Sequence, residues 1–183
     1  MRLYNRLSKQ IQAKVFGLII TNLASNSLAV PALMSKVQLV NLPICKTLSC
    51  KETTKYISED SIMGKYVYVE YITNAGYFIS ASYTMSGLLS GADLTIYRNP
   101  VDEYDKKVIL KIFKDMVGAN YEKEIIDSCL SVASAKANFN DYFSGQVGLA
   151  GGKTPQGVPW NSTCWTFVKS DSIINRISID FAY

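Results

Sequence analysis

The chain offers four thiols and no imidazole. Its cysteines are Cys45, Cys50, Cys129 and Cys164, and histidine is absent. Without imidazole there is no Ser-His-Asp or Cys-His catalysis, no histidine-ligated metal and no imidazole pH switch. A thiolate nucleophile would have only a lysine or a carboxylate as its base. Zinc ligation lacks its usual spacing, because no C-x-x-C pair occurs. An even number of cysteines in an exported chain reads instead as disulfides, with three connectivities open to four cysteines. The preferred one clips Cys45 to Cys50 and ties Cys129, on a helix, to Cys164, on a strand. The second bridge closes a loop of about 35 residues and contributes roughly 3–4 kcal/mol.

Carboxylates supply the remaining chemistry. A pair of them can hydrolyse a glycoside without histidine. Glu59 with Asp60, Glu70 and Asp93 are the available groups, Glu70 lying mid-strand between Val69 and Tyr71. Gly148 to Thr154 (GLAGGKT) invites a phosphate-loop reading, but the motif's first glycine falls on Val147 and no strand is expected before it. No G-x-S-x-G, S-x-x-K or H-E-x-x-H is present. The sequence therefore implies no metal and no cofactor.

Residues 1–29 decide the compartment in which these groups work. Arg2, Arg6, Lys9 and Lys14 precede the apolar run Val15–Ala24, and Ser27-Leu28-Ala29 puts small residues where a signal peptidase reads. That order is a secretory signal peptide, too short in its apolar run for a good anchor. It predicts a periplasmic or secreted protein that meets a membrane only transiently, through this segment. No acidic residue lies in this stretch, so the rest of the chain has as many Lys and Arg as Asp and Glu. A nucleic-acid partner would call for a basic surplus on the folded part, and none is left.

The remaining residues, 30–183, are enough for one domain with a real core. Val37–Leu42 is expected as a strand. Ser49-Cys50-Lys51-Glu52 matches a capping box and predicts a short helix to about Ile57, followed by a polar loop at 58–61. Lys65–Ile72 (KYVYVEYI) is rich in β-branched and aromatic residues. Its alternation puts Val67, Val69 and Tyr71 on one face, and Tyr66, Tyr68 and Glu70 on the other. Thr73–Gly76 turns the chain into a second strand, Tyr77–Thr84, and Asp93–Arg98 is a third. Asn99-Pro100 is expected to cap a helix ending at Gly118, and Asn120 to cap another that fades near Asn138. Residues 144–160 hold five glycines and two prolines and read as a functional or mobile loop. Strands at 162–169 and 173–183 complete an α+β domain, an antiparallel sheet of about five to six strands packed against a central pair of helices.

The Cys45–Cys50 hexapeptide resembles in its spacing the inhibitory disulfide loop of a periplasmic lysozyme-inhibitor family. The likeness covers those six residues and lacks the histidine of that loop, so no role is carried over from it. Ile177, Ile179, Phe181 and Tyr183, in phase, resemble the last strand of an outer-membrane barrel, but the helical stretch 100–138 leaves too little strand for one.

The functional expectation is a non-enzymatic exported binding protein whose partner is another protein, in its concrete form an inhibitor or immunity-type protein that blocks a hydrolase. The partner-facing residues expected are Lys46, Thr47 and Leu48 in the disulfide loop, Tyr66, Tyr68 and Glu70 on the sheet, and Lys153 and Trp160 in the glycine-rich stretch. Two alternatives stand beside it: a secreted histidine-free hydrolase using paired carboxylates, and a structural envelope protein held by its N-terminus.

Overall fold

A computed structural model describes residues 30–60, 64–138, 144–169 and 172–182. The expected export segment, the turn residues Ser170 and Asp171, and Tyr183 lie outside them.

The first described elements depart from expectation. Val37–Leu42 is not a strand: Leu39–Asn41 forms a single 3-10 turn, and the Leu39 N–H donates to Tyr83 Oη at 2.8 Å. Helix α1 comes earlier than the capping box suggests. It spans Pro43–Leu48 with proline in its first turn, where no N–H is needed, and ends at Ser49 in the left-handed region (φ 56°). The Cys45–Cys50 disulfide spans that end.

Residues 51–57, expected as helix, lie in strand β1 (Lys51–Asp60). Thr53, Thr54, Tyr56 and Ile57 suit an extended chain, and the neighbouring strand β2 (Gly64–Ile72) supplies a ladder for it, with one bulge at Thr53. Turns then lead to β3 (Phe78–Thr84) and β4 (Leu89–Ile96). Gly76 closes the β2–β3 turn at φ 80°, a conformation that excludes most side chains.

Helix α2 (Glu103–Val117) starts later than Asn99-Pro100, whose peptide bond is cis. Its cap is reciprocal: the Asp102 carboxylate accepts from the N–H of Tyr104 and Asp105, and Asp105 accepts from the N–H of Asp102. That arrangement satisfies three N–H donors at the helix start. Gly118 ends the helix in the left-handed region, as expected. Helix α3 spans Lys123–Asn138.

The glycine-rich stretch is not a long loop. It forms β5 (Ser144–Lys153), a tight turn, and the start of β6 (Pro159–Lys169). With β7 (Ser172–Phe181) they complete one antiparallel sheet in the order β1-β2-β3-β4-β7-β6-β5. The domain is α+β, with seven strands rather than five to six. The phosphate-loop reading closes with this finding, because GLAGGKT runs along β5 and into a turn that leads to another strand.

One sheet face shares a core with the helices. Val108, Ile112, Phe113 and Met116 of α2, and Ile126, Leu130 and Ala133 of α3, are buried in the same cluster as Val69, Tyr71, Ile79, Leu94, Ile177 and Ile179. The second disulfide, Cys129–Cys164, joins α3 to β6 inside it. Both bridges fit an oxidising, extracytoplasmic compartment. Among the described residues no helix is long and apolar enough to cross a membrane.

Candidate functional site

The opposite sheet face is polar and holds a cavity of about 360 Å³. Its lining residues come from six strands, β2 to β7, and the ladder registers place them in three rows. The first row crosses the sheet as Tyr68, Ser82, Gly91, Asp180 and Asn161. The second, one pleat along, runs Ser80, Asp93, Ser178 and Thr163. The third brings Arg176 beside Trp165 and Gln146.

Asp93 and Asp180 are the two carboxylates of this cavity. They sit on adjacent strands β4 and β7 as diagonal neighbours, since Asp93 opposes Ser178 and Gly91 opposes Asp180. Burial pushes the Asp180 carboxyl up to about 7, and the neighbouring Asp93 charge adds to the shift, against a hydrogen bond from Ser178. Asp93 is also raised by burial, but Arg176 and the Ser80 hydroxyl, which donates to it at 3.4 Å, pull it back. Two carboxyls, both raised by burial, therefore share one site, with Arg176 set against Asp93 and the Asp93 charge raising Asp180 further, an arrangement typical of functional sites.

Gly91 is part of this geometry. A Cβ there would collide with the Asp180 carboxylate and lie 3.0 Å from Ser82 Oγ. Asp180 thus leans over the backbone of β4 into space that the missing side chain leaves. The walls are more fixed. Trp165 stacks parallel to Phe167 with centroids 5.9 Å apart, and its Nε1 donates to Thr163 Oγ1 at 3.1 Å. The Arg176 guanidinium lies 5.2 Å over the Phe167 ring, and its enclosed Nε has no hydrogen-bond partner.

The residues expected to face a partner separate into three groups. Tyr68 lines the cavity, stacked on Tyr56 of β1 at 5.6 Å. Lys46 and Thr47 are exposed on α1, and Lys153 is exposed at the end of β5. Leu48, Tyr66 and Trp160 are buried, which corrects the expectation of partner-facing side chains there. Leu48 faces the core because α1 turns it inward, and Trp160 packs edge-on to Phe113 at 6.0 Å and Tyr121 at 6.1 Å.

The carboxylate candidates separate as well. Glu59 is exposed and 3.8 Å from Lys65 Nζ. Asp60's side chain lies outside the described set. Glu70 is on the cavity's face but two strands from Asp93, opposite Ser80, and does not line the cavity. The neighbour of Asp93 is Asp180, which the sequence reading missed along with Gly91, Trp165 and Arg176. Alternation along β7 was readable and put Arg176, Ser178 and Asp180 on one face. The pairing of β7 with β4 was not, because eighty or so residues separate them.

Among the described residues no three His, Cys, Asp or Glu side chains converge to hold a metal. Compared with known proteins, the chain matches no protein-family profile, no curated protein and no solved structure.

Proposed function

We propose that the chain is an exported binding protein of the cell envelope or exterior, and that it engages another protein through the sheet face opposite its helices. The observation that carries this reading is Asp180, a carboxylate in a polar cavity with no cation among the described residues set against it. The fold places a group there that gains most when something arrives from outside. Two aromatic side chains of the same cavity, Tyr68 and Trp165, are types that carry binding energy at protein interfaces. A hydrolase blocked by this face is the concrete form of the reading.

The test is capture from an extracytoplasmic extract with the immobilised chain, followed by assay of the captured protein for hydrolase activity and its loss in the complex. Trp165→Ala and Asp180→Asn should each cut capture at least tenfold while circular dichroism stays unchanged. Capture that survives both changes removes this face from the reading, and an extract that yields no partner removes the reading itself.

One observation favours a second reading, the histidine-free hydrolase. Asp93 and Asp180 are adjacent carboxyls, both raised by burial and only the first set against Arg176, and a pair of carboxyls supplies the acid and base of glycoside hydrolysis. Activity on a glycan and peptidoglycan panel, lost in both Asp93→Asn and Asp180→Asn, would establish it. A silent panel excludes it.

A further inference from the structure

We infer that the cavity on the open sheet face receives a basic side chain, lysine or arginine, of the partner protein, seated against Asp180 over the gap at Gly91. The inference rests on the binding reading above and names the chemistry of its central contact.

The argument starts from where charge is and is not balanced. Arg176 is the one basic side chain of the cavity lining. It stands on the same strand as Asp180, four residues away, and a strand rises about 3.3 Å per residue, so the two Cα atoms are roughly 13 Å apart. Asp93's row lies between them. Arg176 therefore serves Asp93, whose carboxyl it stabilises, and it is held on the Phe167 ring at 5.2 Å rather than beside Asp180.

Among the described residues, no other side chain lining the cavity is a cation. On β6 the facing positions are Asn161, Thr163 and Trp165. On β4 they are Gly91 and the acidic Asp93. On β3 they are Ser80 and Ser82, and on β2 Tyr68 and Glu70. The surroundings of Asp180 thus hold hydroxyls, amides, aromatic rings and further acid.

Shape agrees with charge. Between Tyr68 on β2 and Asp180 on β7 the row contains only the hydroxymethyl of Ser82 and the bare backbone of Gly91. That is a trough two strands wide, ending in a carboxylate at one side and an aromatic ring at the other. An extended ammonium or guanidinium stem fits it, with the charge on Asp180 and the stem along the ring. The Asp180 carboxylate already leans over Gly91 into this trough.

Binding of a cation there requires Asp180 to be ionised, so affinity and protonation are linked. With the carboxyl half-titrated near 7, the ionised fraction falls roughly thirtyfold between pH 8 and pH 5.5, and affinity should fall with it.

The experiment titrates the full chain with N-acetyl-arginine amide, with N-acetyl-lysine amide and with N-acetyl-citrulline amide as the uncharged counterpart, reading carboxyl carbon shifts by NMR. The expected result is that either cationic probe shifts Asp180, lowers its apparent pKa by more than about two units at saturation, and binds roughly thirtyfold more weakly at pH 5.5 than at pH 8. Asp180→Asn and Asp180→Ser should both lose that response, and citrulline amide should not produce it. Equal response to citrulline amide, or an Asp180 pKa unmoved by 50 mM of both cationic probes, overturns the inference. Partner capture that still depends on Trp165 would then leave the open-face reading standing, whereas probe binding without such capture would sustain the cation site and sink the docking reading.

Discussion

Two acids stand on opposite sides of this sheet, one fully buried and one half-buried in the cavity, and the fold treats them differently. Asp105 is fully enclosed, yet every oxygen is accounted for: Arg98 Nη2 at 2.7 Å, Tyr77 Oη at 2.6 Å and the Asp102 N–H at 2.9 Å. Burial and that hydrogen bond push the Tyr77 phenol well above its ordinary range, so it stays a donor at any ordinary pH. Asp180, on the other face, has Ser178 and an unfriendly neighbour in Asp93. The first acid ties a helix start to a strand end. The second stabilises nothing in the isolated domain. Groups whose charge is compensated internally hold structure, and groups left uncompensated in a cavity await a contact.

Four changes would break or sharpen this contrast. The largest effect is expected for Asp105→Ala, which strands Arg98 and unseats the α2 cap. It should cost about 3–5 kcal/mol in urea unfolding, and a cost under about 1 kcal/mol would erase the distinction between the two acids. Next, replacing Cys129 and Cys164 together by alanine should cost about 3–4 kcal/mol, measured under the same conditions; an unchanged midpoint would show that the helix-side core does not depend on its covalent tie.

Asp180→Asn should act in the opposite direction. Its folded carboxyl titrates above the unfolded one, so the folded state prefers the proton. Stability is whole below about pH 4 and declines as pH rises through about 7. The amide removes that penalty, raising stability by about 2–3 kcal/mol at pH 8 and by almost nothing at pH 4. Equal effects at the two pH values would place Asp180 in ordinary solvent contact. The smallest change is Asp93→Asn, where Arg176 and the Ser80 hydroxyl already offset part of the burial cost. Less than about 1 kcal/mol in either direction is expected at pH 8, and a gain as large as that from Asp180→Asn would show that Arg176 compensates neither acid.

The two faces were unequally legible in the sequence. Local chemistry showed the β2–β3 hairpin, the end of α2 at Gly118 and the alternation of β7, because each is written within a few residues. The disulfide pairing, Cys45–Cys50 and Cys129–Cys164, was the preferred one of three connectivities that the sequence left open. Three local signals misled. Ser49–Glu52 has a capping box's letters, but the ladder offered by β2 draws the residues after Cys50 into a strand. Asn99-Pro100 looks like a helix start, but Asp102 and Asp105 cap each other three residues on. The glycines of β5 look like a loop because their purpose is not local. At Gly145 a Cβ would collide with the Ala133 carbonyl and lie 2.7 Å from the Ala137 nitrogen, so glycine there lets α3 pack directly on the strand. The candidate site failed to show for a related reason. Each of its residues reads as an ordinary outward polar residue until register brings β4 and β7 together.

That β4–β7 ladder has a further consequence. Strands β1 to β4 form one sequential meander and β5 to β7 another, and among the described residues six pairs between β4 and β7 stitch the two together within the sheet. The cavity straddles this seam, with Asp93 and Gly91 on one side and Asp180 on the other. A guest touching both sides works as a clasp. It should slow amide exchange along β4 and β7 more than at the outer strands β1 and β5, so that occupancy can be read as the tightening of a joint, even before the guest is identified.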